Sequence, residues 1–214
     1  MSVSRVQLFV MPGCQVCPQM ERLFEQMHQQ GAIDELQVYD LQQHPEMAQQ
    51  YHIRSVPHYL INGIAFTGLK SLGDINHLLQ QDDSGKWESL ITDELSSGQL
   101  DSVEKRIRQQ PDARNAMIAL LKEHDTPLVV RIGLTAIIET LAESGLLIPF
   151  EDDLIEMTRH VDERIAIDAM YYLSLLGTTR SLKTLTDIAE KGAEKLRHQA
   201  LELLEDVGEG KSLH

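Results

Sequence analysis

The feature that most constrains the fold is a pair of cysteines placed between a strand pattern and a helix pattern. Cys14 and Cys17 are the only cysteines in the 214 residues. Residues 6–10 before them are apolar and β-branched, as in a buried strand, and apolar residues recur at helical spacing over 15–30. A strand, a tight turn and a Cys-x-x-Cys motif at the start of a helix predict a thiol redox site.

The two cysteines have different predicted roles. Residues three apart in a helical turn have Cα atoms about 5 Å apart, a distance that a disulfide can bridge. Unpaired N–H groups and the helix dipole favour a thiolate at Cys14, at the helix start. Cys17 lies one turn further in and is more covered. We therefore predict that Cys14 is the nucleophile and that Cys17 resolves the mixed disulfide.

Two other interpretations of the cysteine pair remain open. The pair would be half of a zinc site, or two inert buried thiols. A structural zinc site needs four ligands, but the sequence has no second cysteine pair, and its nine histidines are scattered. We accordingly predict neither a metal nor a cofactor.

Composition and net charge limit the classes of molecule that the protein is expected to bind and the cellular compartment that suits it. The chain has no transmembrane run, and its N-terminal apolar run of about five residues is shorter than a signal peptide requires. With no cysteine left for structural bridges, a reducing cytoplasm is expected. Residues 1–81 hold 4 Lys and Arg against 7 Asp and Glu, and residues 82–214 hold 15 against 26, so the net charge of −14 lies mostly in the second part. This charge argues against nucleic acid or an anionic membrane as a partner.

The first 81 residues predict the element order β-α-β-α-β-β-α. A strand over 36–41 follows the first helix, as in a right-handed βαβ unit. A short helix is predicted over 45–51 and a final helix over 71–81. Between these helices, two apolar runs flank Asn62-Gly63, the strongest short signal for a hairpin.

This order resembles the thioredoxin/glutaredoxin family over about residues 3–81, in the compact glutaredoxin size. The resemblance rests on Cys14-Gln15-Val16-Cys17 and on Val56-Pro57 at the start of the hairpin. It implies an α/β thioredoxin-like domain and a protein disulfide or thiol as substrate. It also implies that Pro57 is a cis-proline facing the disulfide, and that the backbone of Val56 pairs with an extended substrate segment.

Three positions depart from the family pattern. Leu8 stands where thioredoxins carry a buried aspartate, and Gly13 stands where they carry a tryptophan. Thr67-Gly68 replaces the Gly-Gly pair of glutaredoxins, so the resemblance does not extend to glutathione as the specific substrate. His58, directly after the proline, is a candidate proton shuttle; the alternative is a strand residue turned to solvent.

The second part of the chain predicts a separate all-α domain. Residues 82–86 are polar and carry turn residues, so we predict a linker between domains at 1–81 and 87–214. Beyond the linker the pattern is helical throughout, with an internal repeat whose helices begin near Arg131, Arg164 and Arg197, 33 residues apart. A shorter helix is predicted before each, over about 112–124, 151–160 and 179–191. Such helix pairs cannot bury their faces alone and must stack, which predicts a HEAT-like solenoid.

The three phased arginines have two interpretations. Either they tie neighbouring repeats together through carboxylates and carbonyls, which we expect, or they form a ligand-binding row. A solenoid supplies a surface and no chemistry of its own. We therefore expect it to bind a protein partner.

Two functions from different classes follow. The first is a cytoplasmic thiol–disulfide oxidoreductase that acts on a protein disulfide through Cys14 and Cys17, with the helical repeats selecting or positioning the partner. The alternative is a non-catalytic redox-sensing adaptor whose repeats bind a protein partner.

Overall fold

The chain divides into two compact units, Met1–Leu90 and Ile91–His214. The structure, a computed structural model, describes residues 4–209. Each unit has its own buried core.

The first unit has the predicted order of strands and helices, which confirms the α/β fold class. The elements in chain order are β1 (Arg5–Val10), α1 (Cys17–Gln29), β2 (Glu35–Asp40), α2 (Pro45–Gln50), β3 (His58–Ile61), β4 (Ile64–Thr67) and α3 (Leu72–Gln80). The four strands form one mixed sheet in the order β2-β1-β3-β4. Strand β1 runs parallel to β2 and antiparallel to β3, and β3 and β4 form the hairpin.

The hairpin turn follows from its two central residues. Asn62 and Gly63 both have positive φ, 52° and 87°. A two-residue hairpin loop with positive φ at both positions is a type I′ turn, and Asn-Gly is its preferred sequence. The turn sets the register in which β4 pairs with β3.

The sheet is covered on both faces because successive residues of a strand point to opposite sides. On one face, Tyr59 of β3 meets Phe24 of α1, with ring centroids 5.1 Å apart. On the other face, Phe9 of β1 contacts Tyr51, which ends α2, with ring centroids 4.9 Å apart and the rings tilted by 44°. Helices α1 and α2 therefore lie on opposite faces, and this placement decides what each strand residue can reach.

The linker predicted over 82–86 is wrong, because α4 spans Asp83–Ser96. The carboxylate of Asp82 accepts a hydrogen bond from the N–H of Gly85 at 2.9 Å, as an N-cap does. Lys86 donates its Nζ to the carbonyl of Gln81, at the end of α3, over 2.8 Å. Asp, Ser and Gly are favoured both in loops and at helix starts, so the composition alone could not separate the two.

Within the described residues, the second unit consists of helices joined by short turns. After α4 come α5 (Leu100–Gln109), α6 (Pro111–Lys122), α7 (Leu128–Glu143), a 3₁₀ turn (Ile148–Phe150), α8 (Glu151–Met157), α9 (Glu163–Leu176), α10 (Thr179–Lys191) and α11 (Glu194–Gly208). Helices α6, α8 and α10 are the shorter helices that the repeat predicts, and α7, α9 and α11 carry the phased arginines. The prediction of a helical second domain is confirmed.

The arginine-bearing helices lie side by side. Helix α9 packs against both α7 and α11. The hydroxyls of Tyr172 and Thr135 join α9 to α7 over 2.8 Å, and Lys195 joins α11 to Glu163 of α9 over 2.6 Å. Stacking of equivalent helices at a 33-residue period supports the HEAT-like solenoid, which stays a prediction.

The phased arginines do not share one role. Arg131 is buried and donates to the carbonyls of Leu121 and Glu123 and to the carboxylate of Asp168 in the next repeat, as expected. The expectation is wrong for Arg164, whose carboxylate partner is the adjacent Asp162, at 2.7 Å. Arg131 is the fourth residue of α7 but Arg164 is only the second of α9. Asp162 is the N-cap residue of α9, so its carboxylate lies beside Arg164, and Arg164 contacts the preceding repeat through a side chain of another kind, with its Nη2 3.4 Å from Nδ1 of His124.

Between residues 4 and 209, no single helix is both long and apolar enough to cross a membrane. One bent pair, Leu128–Glu143 with Ile148–Met157, meets the length and composition requirements only when both halves are counted together across a 117° bend.

Candidate redox site

Cys14 and Cys17 are joined by a disulfide, with their Cα atoms 5.5 Å apart. Cys14 lies in the segment between β1 and α1, and Cys17 is the first residue of α1. Helix α1 begins at Cys17, two residues later than the sequence predicts, and Val16 is its N-cap residue. Cys14 therefore precedes the helix and faces its first turn, while Pro18 takes the second helical position, where a missing N–H costs no hydrogen bond.

A tight turn before Cys14 directs its sulfur towards the helix. The N–H of Cys14 donates to the carbonyl of Met11 over 3.2 Å, which closes the turn. Gly13 sits in this turn with φ of 87°, a left-handed conformation that glycine adopts without steric cost. A glycine directly before the first cysteine thus has a conformational role.

The N–H of Cys17 donates a hydrogen bond to Sγ of Cys14 over 3.1 Å. This N–H belongs to the first turn of α1, whose donors have no partner within the helix. When the disulfide is reduced, the same donor faces the Cys14 sulfur and favours its thiolate, together with the helix dipole. The site can therefore activate Cys14 without a charged side chain.

The two sulfurs differ in exposure. Cys14 is half-buried, whereas Cys17 is only 3% exposed. An incoming sulfur can reach Cys14 before it reaches Cys17. This asymmetry agrees with the roles predicted for the two cysteines.

Val56 lies next to the disulfide, although it is 42 residues from Cys14 in the sequence. Its carbonyl oxygen is 3.8 Å from Sγ of Cys14, and because the disulfide sulfur carries no proton, this is a packing contact in the oxidised form. The Val56–Pro57 peptide bond is cis. Pro57 is buried, and its carbonyl accepts the N–H of Gly68 over 2.9 Å, which fixes the start of the hairpin.

His58 points away from the helix that carries Cys17. It is 5% exposed, so the alternative of a strand residue turned to solvent is wrong. His58 pairs with Phe9 across β1 and β3, with ring centroids 5.9 Å apart. Its ring therefore lies on the α2 face of the sheet, whereas α1 covers the other face.

The contributions of backbone groups were missed by sequence reasoning. The Met11 carbonyl and the Cys17 amide both hold Cys14, yet neither depends on the identity of its side chain. Gly13 was the one available signal for the turn. Within residues 4–209, no group of three or more His, Cys, Asp or Glu residues has the geometry to hold a metal ion.

Comparison with known families adds to this geometry. Residues 4–80 match the family model described as a thioredoxin domain. The N-terminal domain is thioredoxin-like. No curated protein matches the chain in a sequence comparison. A thioredoxin-like domain that carries the Cys14–Cys17 disulfide indicates redox activity at this pair.

Proposed function

We propose that this protein is a thiol–disulfide oxidoreductase that acts on a protein disulfide through Cys14 and Cys17. One observation carries the proposal: the Cys17 N–H is held on the sulfur of the more accessible cysteine. The helical unit selects or positions the protein substrate. We place the reaction in the cytoplasm, because the only two cysteines form the reactive pair.

Reduction of a substrate proceeds in two exchanges from the dithiol form. The Cys14 thiolate attacks one substrate sulfur, forming a mixed disulfide, and the other substrate sulfur leaves with the electron pair and takes up a proton. Cys17 then loses its proton and attacks Sγ of Cys14, which releases the second substrate sulfur as a thiolate that is protonated. The substrate gains two electrons, and the Cys14–Cys17 disulfide is restored. Oxidation of a substrate dithiol is the reverse.

Val56 and Pro57 supply the surface for the substrate chain. The Val56 carbonyl already touches Sγ of Cys14, so a segment whose sulfur reaches Cys14 must run past Val56. Backbone groups bind an extended segment through main-chain hydrogen bonds, largely independent of its sequence. Pro57, buried at the hairpin start, holds Val56 in this position.

The proton that Cys17 loses needs an acceptor. His58 is the side chain that the sequence singles out for this role, but its packing against Phe9 favours a structural role instead. We therefore propose solvent as the acceptor, with His58 as the alternative to be tested by its pH profile.

Insulin reduction with dithiothreitol tests the function. The wild type should accelerate precipitation of the insulin B chain. Cys14→Ser should abolish the acceleration, because the remaining thiol, Cys17, is buried. Absence of acceleration by the wild type, with reversible oxidation of the pair and redox-dependent partner binding, would instead establish the non-catalytic adaptor.

A further inference from the structure

Four large apolar side chains are strongly exposed near the starts of α7 and α9. Leu128, Val129 and Ile132, in the first turns of α7, are 73%, 51% and 62% exposed, and Val161, just before α9, is 97% exposed. These four residues are called the apolar patch. Residues three and four apart share a helix face, so Ile132 lies beside both Leu128 and Val129.

Val161 lies in the segment that leads into the next repeat. It follows Leu128 by 33 residues, the repeat period, but Leu128 is the first residue of α7 whereas Val161 lies two residues before α9. His124, which precedes α7, has its Nδ1 3.4 Å from the carboxylate of Asp162. The segment that leads into α7 therefore lies against the segment that leads into α9, which brings Val161 towards the start of α7.

Burial elsewhere in α7 shows that the patch is additional to the core. The opposite side of the helix is already buried through Val130, Leu134, Ile137, Ile138 and Leu141. A surface helix that packs on one side usually presents polar residues on the other. Grouped apolar side chains left exposed on a folded protein commonly mark a place where another molecule binds.

Charge indicates which molecule binds. Residues 91–214 hold 14 Lys and Arg against 23 Asp and Glu, a net charge of −9. Two copies of this unit repel each other, and an anionic membrane repels it as well. Near the patch, Asp125 is exposed with its side chain 96% accessible, whereas the exposed Arg164 is already paired with Asp162. A partner with positive charge next to its apolar residues is therefore favoured over a second copy or a lipid surface.

We propose that the apolar patch docks a segment of a partner protein in which apolar anchor residues are flanked by Lys or Arg. The proposal rests on the function proposed above and assigns the selection of the protein substrate to this patch of the helical unit. The docking requires no thiol chemistry, so its test can succeed or fail independently of the redox reaction.

A random peptide library displayed on phage and panned against the full chain tests the proposal. Selected peptides should combine apolar residues with a net positive charge. Fluorescence anisotropy should show about tenfold weaker binding to the double variant Leu128→Ser, Val161→Ser, since a few buried anchors carry most of the affinity. Rising salt should weaken binding to the wild type.

The control is Ile148→Ser. Ile148 is a similarly exposed apolar residue, 55% accessible, beyond the opposite end of α7, and its loss should leave peptide binding unchanged. Circular dichroism melts establish that the double variant is folded, as expected for exposed positions.

Four outcomes would overturn the proposal. They are no enrichment of peptides, enrichment of acidic peptides, equal binding to the double variant, and equal loss of binding in the control. Dimerisation of the wild type by sedimentation velocity that disappears in the double variant would assign the patch to a second copy. Co-sedimentation with phosphatidylserine vesicles that disappears in the same variant would assign it to a membrane.

Discussion

The N–H of Cys17 lies 3.1 Å from Sγ of Cys14 and donates a hydrogen bond to it. This contact makes the two cysteines unequal. The buried Cys17 supplies the N–H donor, and the sulfur of the more accessible Cys14 accepts the hydrogen bond. Because the donor is a backbone N–H, the contact does not require a charged or polar side chain between the cysteines.

The first prediction concerns thiol reactivity after reduction. At pH 7 only a few per cent of an ordinary cysteine is thiolate, and the Cys17 N–H favours that form at Cys14. We expect iodoacetamide to label Cys14 about tenfold faster than free cysteine, and Cys17 more slowly because it is buried. Peptide mass spectrometry over time measures both rates. Equal labelling in the native state, matching that of guanidinium-unfolded chain, would contradict the contact.

The second prediction separates two arginines that the repeat makes look equivalent. Arg131→Gln should lower the free energy of unfolding by about 2 kcal/mol, because it leaves two carbonyls and Asp168 without their donor. Arg164→Gln is the matched control and should cost less than about 0.5 kcal/mol, since the Arg164 side chain is 68% exposed to solvent. Urea unfolding followed at 222 nm measures both. Equal losses would mean that both arginines hold the repeats together.

The third prediction concerns acid stability. Hydrogen bonds from the hydroxyls of Ser181 and Thr178 lower the pKa of Glu151 below its usual 4.5. A carboxyl with a lowered folded-state pKa stabilises the protein above its unfolded pKa, and that contribution is lost as the pH falls through the folded value. Glu151→Gln should therefore cost about 1 kcal/mol at pH 7, and the difference from wild type should shrink below pH 4.5.

Asp152→Asn provides the control for Glu151. Asp152 is the next residue, is exposed, and pairs only with the exposed Arg180 among the ion pairs that the structure describes for it. Thermal melts from pH 7 to pH 3 should show it within about 0.5 kcal/mol of wild type throughout. A constant difference for Glu151→Gln down to pH 3 would rule out the proposed linkage.

The fourth prediction tests His58. If its ring serves packing against Phe9, His58→Phe keeps insulin reduction within about threefold and leaves the pH profile unchanged. A proton shuttle would instead contribute about 100-fold or more. A rate loss of that size, restored as the pH is raised, would assign the proton transfer to His58.

The sequence correctly predicted structural features that depend only on neighbouring residues. Asn62-Gly63 predicted the hairpin because its conformation needs only those two residues. The sequence also predicted the bounds of α10, where Thr178 caps the helix through its own hydroxyl. Features that depend on how distant elements pack together could not be predicted from the sequence. The side of the sheet that receives His58 depends on which helix covers each face, and the ion-pair partner of Arg164 depends on Asp162 being placed at the N-cap of α9.

The apolar patch was likewise beyond the sequence. Leu128 and Ile132 belong to an apolar segment in which core and surface residues are chemically alike. Only the packing of α7 against its neighbours decides which of them are buried. The linker prediction failed because Asp82 and Gly85 are as suited to a helix start as to a loop.

The most direct test of the central claim is capture of the mixed disulfide with insulin. Reduced Cys17→Ser should form a covalent adduct with an insulin chain, visible by intact-protein mass spectrometry and released by dithiothreitol, because its Cys14 attacks and nothing resolves the product. Reduced Cys14→Ser should form little adduct, since its remaining thiol is buried. Equal adducts from both variants, or none from Cys17→Ser, would contradict Cys14 as the nucleophile.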